Sequence, residues 1–140
     1  MIRARRLEKR YGDKRVLHGI DFELPDDGFL VVTGPNGSGK TTLLRLCAGL
    51  AVPTRGELTV THERAGSYSR GMLQRLALCR TLLHEPELLI LDEPYSALDE
   101  DGAALLDREL AELRCRAAFV VATHDPARVD SLATARLALA

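Results

Sequence analysis

Gly34 to Thr42 reads GPNGSGKTT, and no other stretch limits the possible folds of this chain so tightly. The pattern G-x-x-x-x-G-K-[ST] puts Gly34, Gly39, Lys40 and Thr41 at the fixed positions of a phosphate-binding loop. Glycine at these points lets the backbone turn tightly, so that successive N–H groups converge on phosphate. Pro35, Asn36, Gly37 and Ser38 complete the cradle, and Thr42 continues it. Lys40 is expected to reach the β- and γ-phosphates, and the Thr41 hydroxyl to ligate Mg²⁺. The flanks agree: Phe29-Leu30-Val31-Val32 reads as a short apolar strand, and Thr42 to Leu50 as a helix. The phosphates would then sit at a positive helix N-terminus. A glycine-rich turn without a ligand is the competing reading, and the strand before and helix after weigh against it. The stretch predicts a nucleoside triphosphate site.

A chain of 140 residues, 46% hydrophobic and 28% charged, suits one soluble domain with its own core. The longest apolar run, Ala117 to Ala122, is far too short to span a bilayer. MIRARRLEKR carries charge but no apolar stretch behind it, so it is no secretory signal. A net charge of −1 weighs against a dedicated nucleic-acid binder. Arg3, Arg5, Arg6, Lys9 and Arg10 read as a solvated strand face rather than a lipid or RNA contact. Cys47, Cys79 and Cys115 form no C-x-x-C pair, which predicts reduced, buried thiols in a cytoplasmic protein and no metal role. His18, His62 and His84 are unclustered and read as structural or surface residues.

Arg3 to Glu8 and Val16 to Leu24 alternate apolar and polar residues, as antiparallel or edge strands do, around a turn at Tyr11-Gly12-Asp13. Pro53 to Gly56 reads as a turn, Glu57 to Val60 as a strand, and Thr61 to Ser67 as turn-like. A helix is expected from Ser69 to Leu83, then a buried strand at Leu88 to Leu91. Asp101 to Arg114 places Leu105, Leu106, Leu110 and Leu113 on one side of an amphipathic helix. Ala117 to Ala122 reads as a buried strand, Pro126 to Ala133 as a helix, and Arg136 to Leu139 as a closing strand. Strands alternating with helices imply an α/β fold, a mostly parallel sheet with helices on both faces and a small N-terminal antiparallel part.

The Leu88–Leu91 strand ends in Asp92-Glu93-Pro94. A carboxylate at the carboxyl end of a parallel strand, beside a phosphate loop, is where Mg²⁺ needs an oxygen ligand, which points to Asp92. Glu93 then stands where it could polarise an attacking water.

With these residues in place, the chain resembles the ATP-binding subunit of ABC transporters over nearly its whole length, as a P-loop NTPase core. The resemblance implies that Tyr11 stacks on adenine, that Gly34 to Thr42 is the Walker A motif, and that Leu88 to Glu93 is Walker B with Glu93 as catalytic glutamate. Ser96-Ala97-Leu98-Asp99 looks like the D-loop, and His124 like the switch histidine at the γ-phosphate. Tyr68-Ser69-Arg70-Gly71-Met72 resembles the signature motif, usually LSGGQ, keeping Ser69 and Gly71. In the family that motif faces the ATP of a partner, so two copies pair head to tail around two nucleotides. ATP and Mg²⁺ are thus the implied cofactors, and an integral membrane transporter subunit the implied partner. The resemblance also implies an ATPase on the inner face of the cell membrane. YSRGMLQRLALCR is most similar to the haem-exporter subunits of cytochrome c biogenesis.

The pattern departs from the family at one place. Lys40 and Asp92 stand only 52 positions apart, and no glutamine lies between Lys40 and Gln74. The Q-loop and helical subdomain are therefore expected to be missing, as a deletion near residues 61–67 within one shortened domain of residues 1–140. Water is expected to replace the missing glutamine at Mg²⁺, with His62 or Glu63 as the alternative. Two functions stay open: a hydrolase driving transport, or a shortened module that binds Mg·ATP with little turnover.

Overall fold

The computed structural model describes residues 1–61, 65–68 and 86–140. In chain order they form β1 (Ile2–Tyr11), β2 (Lys14–Leu24), β3 (Phe29–Thr33), α1 (Lys40–Cys47), β4 (Arg55–Val60), β5 (Ala65–Tyr68), β6 (Leu88–Asp92), α2 (Glu100–Leu113), β7 (Ala118–Ala122) and β8 (Ala135–Ala138). A three-stranded antiparallel sheet has the order β2-β1-β4. The larger sheet has the order β5-β6-β7-β3-β8, and every neighbouring pair in it is parallel.

The period-two pattern of strands sorts the core into two layers. Leu30 and Val32 of β3, Leu88 and Ile90 of β6, and Ala118, Val120 and Ala122 of β7 face one cluster. Phe29 and Val31, Leu89 and Leu91, and Phe119 and Val121 face the other. Helix α1, too short to hold itself together in water, is covered on two sides. Its Leu43, Leu44, Leu46 and Cys47 pack in the first cluster with Ile2, Leu7, Leu17 and Leu24 of the antiparallel sheet. Helix α2 covers the opposite face through Leu106 and Leu110. Asp99 caps it, its Oδ1 accepting from the Gly102 N–H at 2.8 Å, and Glu100 and Asp101 follow in the first turn, where a helix dipole favours anions.

Several expectations from the sequence meet corrections. Helix α1 starts at Lys40 and stops at Cys47, three residues before Leu50. Gly49, at φ 70°, takes the left-handed position, and the N–H groups of Gly49 and Leu50 donate back to Leu46 and Arg45. The turn-like Thr61–Ser67 stretch contains β5, whose Ala65 pairs with Leu88 and whose Tyr68 pairs with Leu91. Ala-Gly-Ser-Tyr carries no hydrophobic period; the open edge of β6, whose backbone groups need partners, makes it a strand. Pro126 to Ala133 is a run of turns rather than a helix, with Val129 N–H bonded to Pro126 O and Leu132 N–H to Val129 O. Arg114 and Arg136 take the carbonyls of Leu132 and Asp130, so side chains meet needs that a helix would have met from its own backbone. Leu105 faces solvent. The expected helix from Ser69 to Leu83 lies outside the described residues.

The thiols also differ from expectation. Cys47 is buried in the first cluster, and burial pushes its thiol up to about 12. Cys115, two residues past the end of α2, is exposed. Cys79 lies outside the described residues. Because the thiolate is the nucleophile, brief treatment of the folded chain with iodoacetamide at pH 8 is expected to alkylate Cys115 and spare Cys47, read by peptide mass spectrometry. Phe29 and Phe119, both fully buried, stack with ring centres 4.9 Å apart across the β3–β7 pair. Phe119→Ala should lower unfolding free energy in urea by about 3–5 kcal/mol.

Candidate functional site

The carboxyl ends of β3, β6 and β7 lie side by side, and residues that follow β3 and end β6 line one cleft of about 520 Å³. A crevice outside the carboxyl ends of parallel strands is the usual ligand position in such sheets. Tyr11, Asn36, Gly37, Gly39, Lys40, Thr41, Thr42, Asp92 and Glu93, all singled out in the sequence, line it. Lys14 and Val16 line it too and were not anticipated. The hairpin explains them: Lys14 pairs directly with Tyr11, so the start of β2 is carried to the cleft with the aromatic.

The loop after β3 depends on two glycines. Gly39, at φ 100°, is the N-terminal cap of α1, and an added Cβ would stand 2.8 Å from a Leu17 methyl and 3.1 Å from the Val16 carbonyl. Gly34, at φ 150°, leaves no room either: its Cβ would lie 2.5 Å from the Leu139 carbonyl and 2.6 Å from Ser38 Oγ. Only glycine fits both positions without displacing backbone. Ser38 Oγ is buried and has no hydrogen-bond partner among the described residues. Lys40 is also buried, and its Nζ donates to Gly34 O at 2.7 Å and to Pro35 O at 3.2 Å. The ammonium is thus held over the loop, inside the cleft.

Thr41, the next residue of α1, is exposed, and its hydroxyl donates to Asp92 Oδ2 at 2.6 Å. Asp92 is the last residue of β6 and is buried. The two oxygens are hard donors of the kind Mg²⁺ takes, and such an ion commonly adds phosphate and water oxygens to one or two protein ligands. Among the described residues no group of three or more His, Cys, Asp and Glu side chains could hold a metal alone.

Glu93 has φ 50°, a left-handed value that costs a non-glycine residue free energy. Its N–H donates to Ala122 O at 2.8 Å and its carbonyl accepts from Ser96, which holds the turn in place. The side chain is buried, with Oε1 3.9 Å from Lys40 Nζ and Oε2 2.7 Å from His124 Nδ1. The His124 N–H also donates to Oε2, at 3.3 Å, while most of its ring faces solvent. One carboxylate therefore faces a cation on one side and an imidazole on the other. Tyr11 lines the same cleft, 48% exposed, with Lys9 Nζ 5.0 Å from its ring centre. Ser69 and Gly71 lie outside the described residues.

A family model described as ABC transporter matches residues 17–65 and 59–96 of the chain. The aliphatic sulfonates import ATP-binding protein SsuB 3 of Rhodococcus jostii is 34% identical over 170 aligned residues, covering 85% of this chain and 63% of that protein. SsuB 1 of Nocardia farcinica is also 34% identical over 170 residues, covering 85% of this chain and 69% of that protein. The chain therefore spans about two thirds of the length of these relatives. Alignments of 170 positions against a chain of 140 residues mean that the relatives carry residues this chain lacks. The dimeric structure of a bacterial ABC transporter cassette matches with a TM-score of 0.87 and 18% identity over 99% of this chain and 94% of that one, a likeness of fold.

Two substitutions test the cleft. Lys40→Ala removes the buried ammonium and should weaken ATP binding tenfold or more, since hydrogen bonds to charged groups are worth about 1.5–3 kcal/mol. Tyr11→Ala should weaken it by a few-fold to tens-fold, as stacking on a base is worth ~1–3 kcal/mol. Titration with a fluorescent ATP analogue measures both; unchanged affinity in Lys40→Ala would place the phosphates elsewhere.

Proposed function

We propose, from the premise that this chain belongs to the ABC transporter family, that it is an ATP-binding subunit hydrolysing ATP to ADP and phosphate. The observation that carries the reading is the convergence of Lys40, the Thr41–Asp92 pair and Glu93 in one cleft, with His124 bonded to Glu93. Lys40 and the N–H groups of the loop hold the β- and γ-phosphates at the start of α1. Thr41 and Asp92 hold Mg²⁺, which when bound neutralises charge that develops on the phosphate oxygens. Glu93 takes the proton of a water as its oxygen bonds to the γ-phosphorus and the bond to the β,γ-bridging oxygen breaks. His124 fixes Oε2 of Glu93 and so orients the carboxylate toward the phosphate side. Tyr11 offers its open ring face to the base.

Two copies paired head to tail, each lending Ser69 and Gly71 to the other's nucleotide, complete the proposed enzyme. The dimeric cassette that shares this fold supports the pairing. The work would be passed to a separate membrane subunit, a reading supported by the relatives' description as import ATP-binding proteins; among the described residues no helix is long and apolar enough to cross a membrane. The chain would then sit at the inner face of the cell membrane, without nucleic acid as a partner. The relatives' names favour import of a small organic anion such as an aliphatic sulfonate. The haem-export likeness drawn from one motif finds no support in those names, and most of that motif lies outside the described residues.

A specific observation favours a second reading, a shortened module that binds Mg·ATP with little turnover. The family model matches in two stretches that overlap at residues 59–65, as expected where an internal segment has dropped out. No glutamine stands between Lys40 and Gln74 to act as the Q-loop ligand, so water takes its place in this reading of the site. His62 and Glu63, the alternative ligands, lie outside the described residues.

Steady-state hydrolysis against protein concentration separates the two. The enzyme reading predicts a rate per chain that rises with concentration and falls by on the order of 10²-fold or more in Glu93→Gln. Saturable Mg·ATP binding with no turnover in either protein would establish the module instead.

A further inference from the structure

Glu93 and His124 follow the ends of β6 and β7 and meet at 2.7 Å, but the same two loops are tied together a second time. Tyr95, two residues past Glu93, donates its hydroxyl to Asp107 Oδ1 of α2 at 2.7 Å. Arg128, four residues past His124, donates through Nη1 to the other oxygen of the same carboxylate, Oδ2, at 3.0 Å. Its Nη2 donates to both oxygens of Glu100 at 2.8 and 2.7 Å. The guanidinium carbon lies 5.6 Å from the centre of the Tyr95 ring. Asp107 thus gives one oxygen to each loop, and Arg128 joins the two directly.

We infer that Arg128 is a positioning residue, which acts through the loops of Tyr95 and His124 to hold His124 against Glu93. The inference rests on the hydrolytic reading of that pair. Three features of the geometry support it. The planar guanidinium fork has fixed donor directions, so its engagement with Glu100 and Asp107 sets the place of its own loop on α2 rather than merely adding charge. Helix α2 is anchored by Leu106 and Leu110 in the core, which makes it a rigid reference for both loops. The left-handed Glu93 lies only two residues from Tyr95, so its unfavourable backbone needs an anchor close by. Burial first, and the Asp107 carboxylate second, push the Tyr95 phenol well above its ordinary value, so it remains a donor across the working pH range.

The test uses the full chain and two readouts. Ring ¹⁵N spectra of His124 without nucleotide come first. A carboxylate oxygen accepts, so the 2.7 Å contact with Glu93 Oε2 is made by an N–H at His124 Nδ1. Arg128→Gln should shift the ring toward the tautomer mixture of a free imidazole, with Arg128→Lys between the two. A merely structural arginine would leave that spectrum unmoved while lowering the melting temperature. Hydrolysis is the second readout: Arg128→Gln should lower kcat on the order of tenfold with KM nearly constant, and should add nothing in a His124→Ala background. Should Arg128→Gln fail to fold, Glu100→Gln at the surface end of the same contact is read by the same spectrum. A shifted spectrum in a chain that never hydrolyses ATP would sustain the positioning role and refute the hydrolase. An unshifted spectrum with unchanged kcat in an active enzyme would overturn the positioning role alone.

Discussion

The hydrogen bond from Thr41 to Asp92 joins the first turn of α1 to the last residue of β6, and the chemistry of the cleft depends on it. It brings the phosphate loop and the acidic strand end, 51 residues apart, within one ion's reach. Neither partner could hold that place alone. Thr41 is fixed because α1 is packed between two sheets, and Asp92 because β6 lies inside the parallel sheet with β5 and β7 on either side. Two buried leucine, valine and phenylalanine layers, each such side chain worth about 1.5–3 kcal/mol when removed from water, therefore support a polar contact at the carboxyl end of the sheet.

Much of this was legible in the sequence, for a physical reason. Strands buried on both faces need unbroken apolar runs, and FLVV, LLIL and AAFVVA can satisfy little else. The phosphate loop was legible because its glycines answer to backbone geometry: at Gly34 and Gly39 any Cβ would strike a carbonyl or a packed methyl. β5 was hidden because Ala65-Gly66-Ser67-Tyr68 owes its strand conformation to the neighbouring edge and not to its own side chains. The turns at Pro126 to Ala133 were hidden because two arginines outside the segment, Arg114 and Arg136, take its Leu132 and Asp130 carbonyls.

The site divides along the same line. Residues in local motifs, Lys40, Thr41, Asp92 and Glu93, are recognised by spacing and found together in the cleft. Lys14 and Val16 enter it through strand pairing, which only the hairpin register shows. The bridge of Arg128, Asp107 and Tyr95 draws on three segments, and no local pattern announces it. Local motifs show groups that spacing alone brings together; contacts drawn from several segments are distributed by the fold.

The shortened chain asks whether a nucleotide core can work without the segment its relatives carry. The described elements around the cleft are packed into the two core layers without it, so the question turns on binding. The most direct measurement is calorimetric titration of ATP into the chain with and without Mg²⁺, for the parent and for Asp92→Asn. The account predicts one ATP per chain, bound more tightly with Mg²⁺, and loss of that Mg²⁺ advantage in Asp92→Asn. No saturable binding, or a Mg²⁺ advantage that survives in Asp92→Asn, would contradict it.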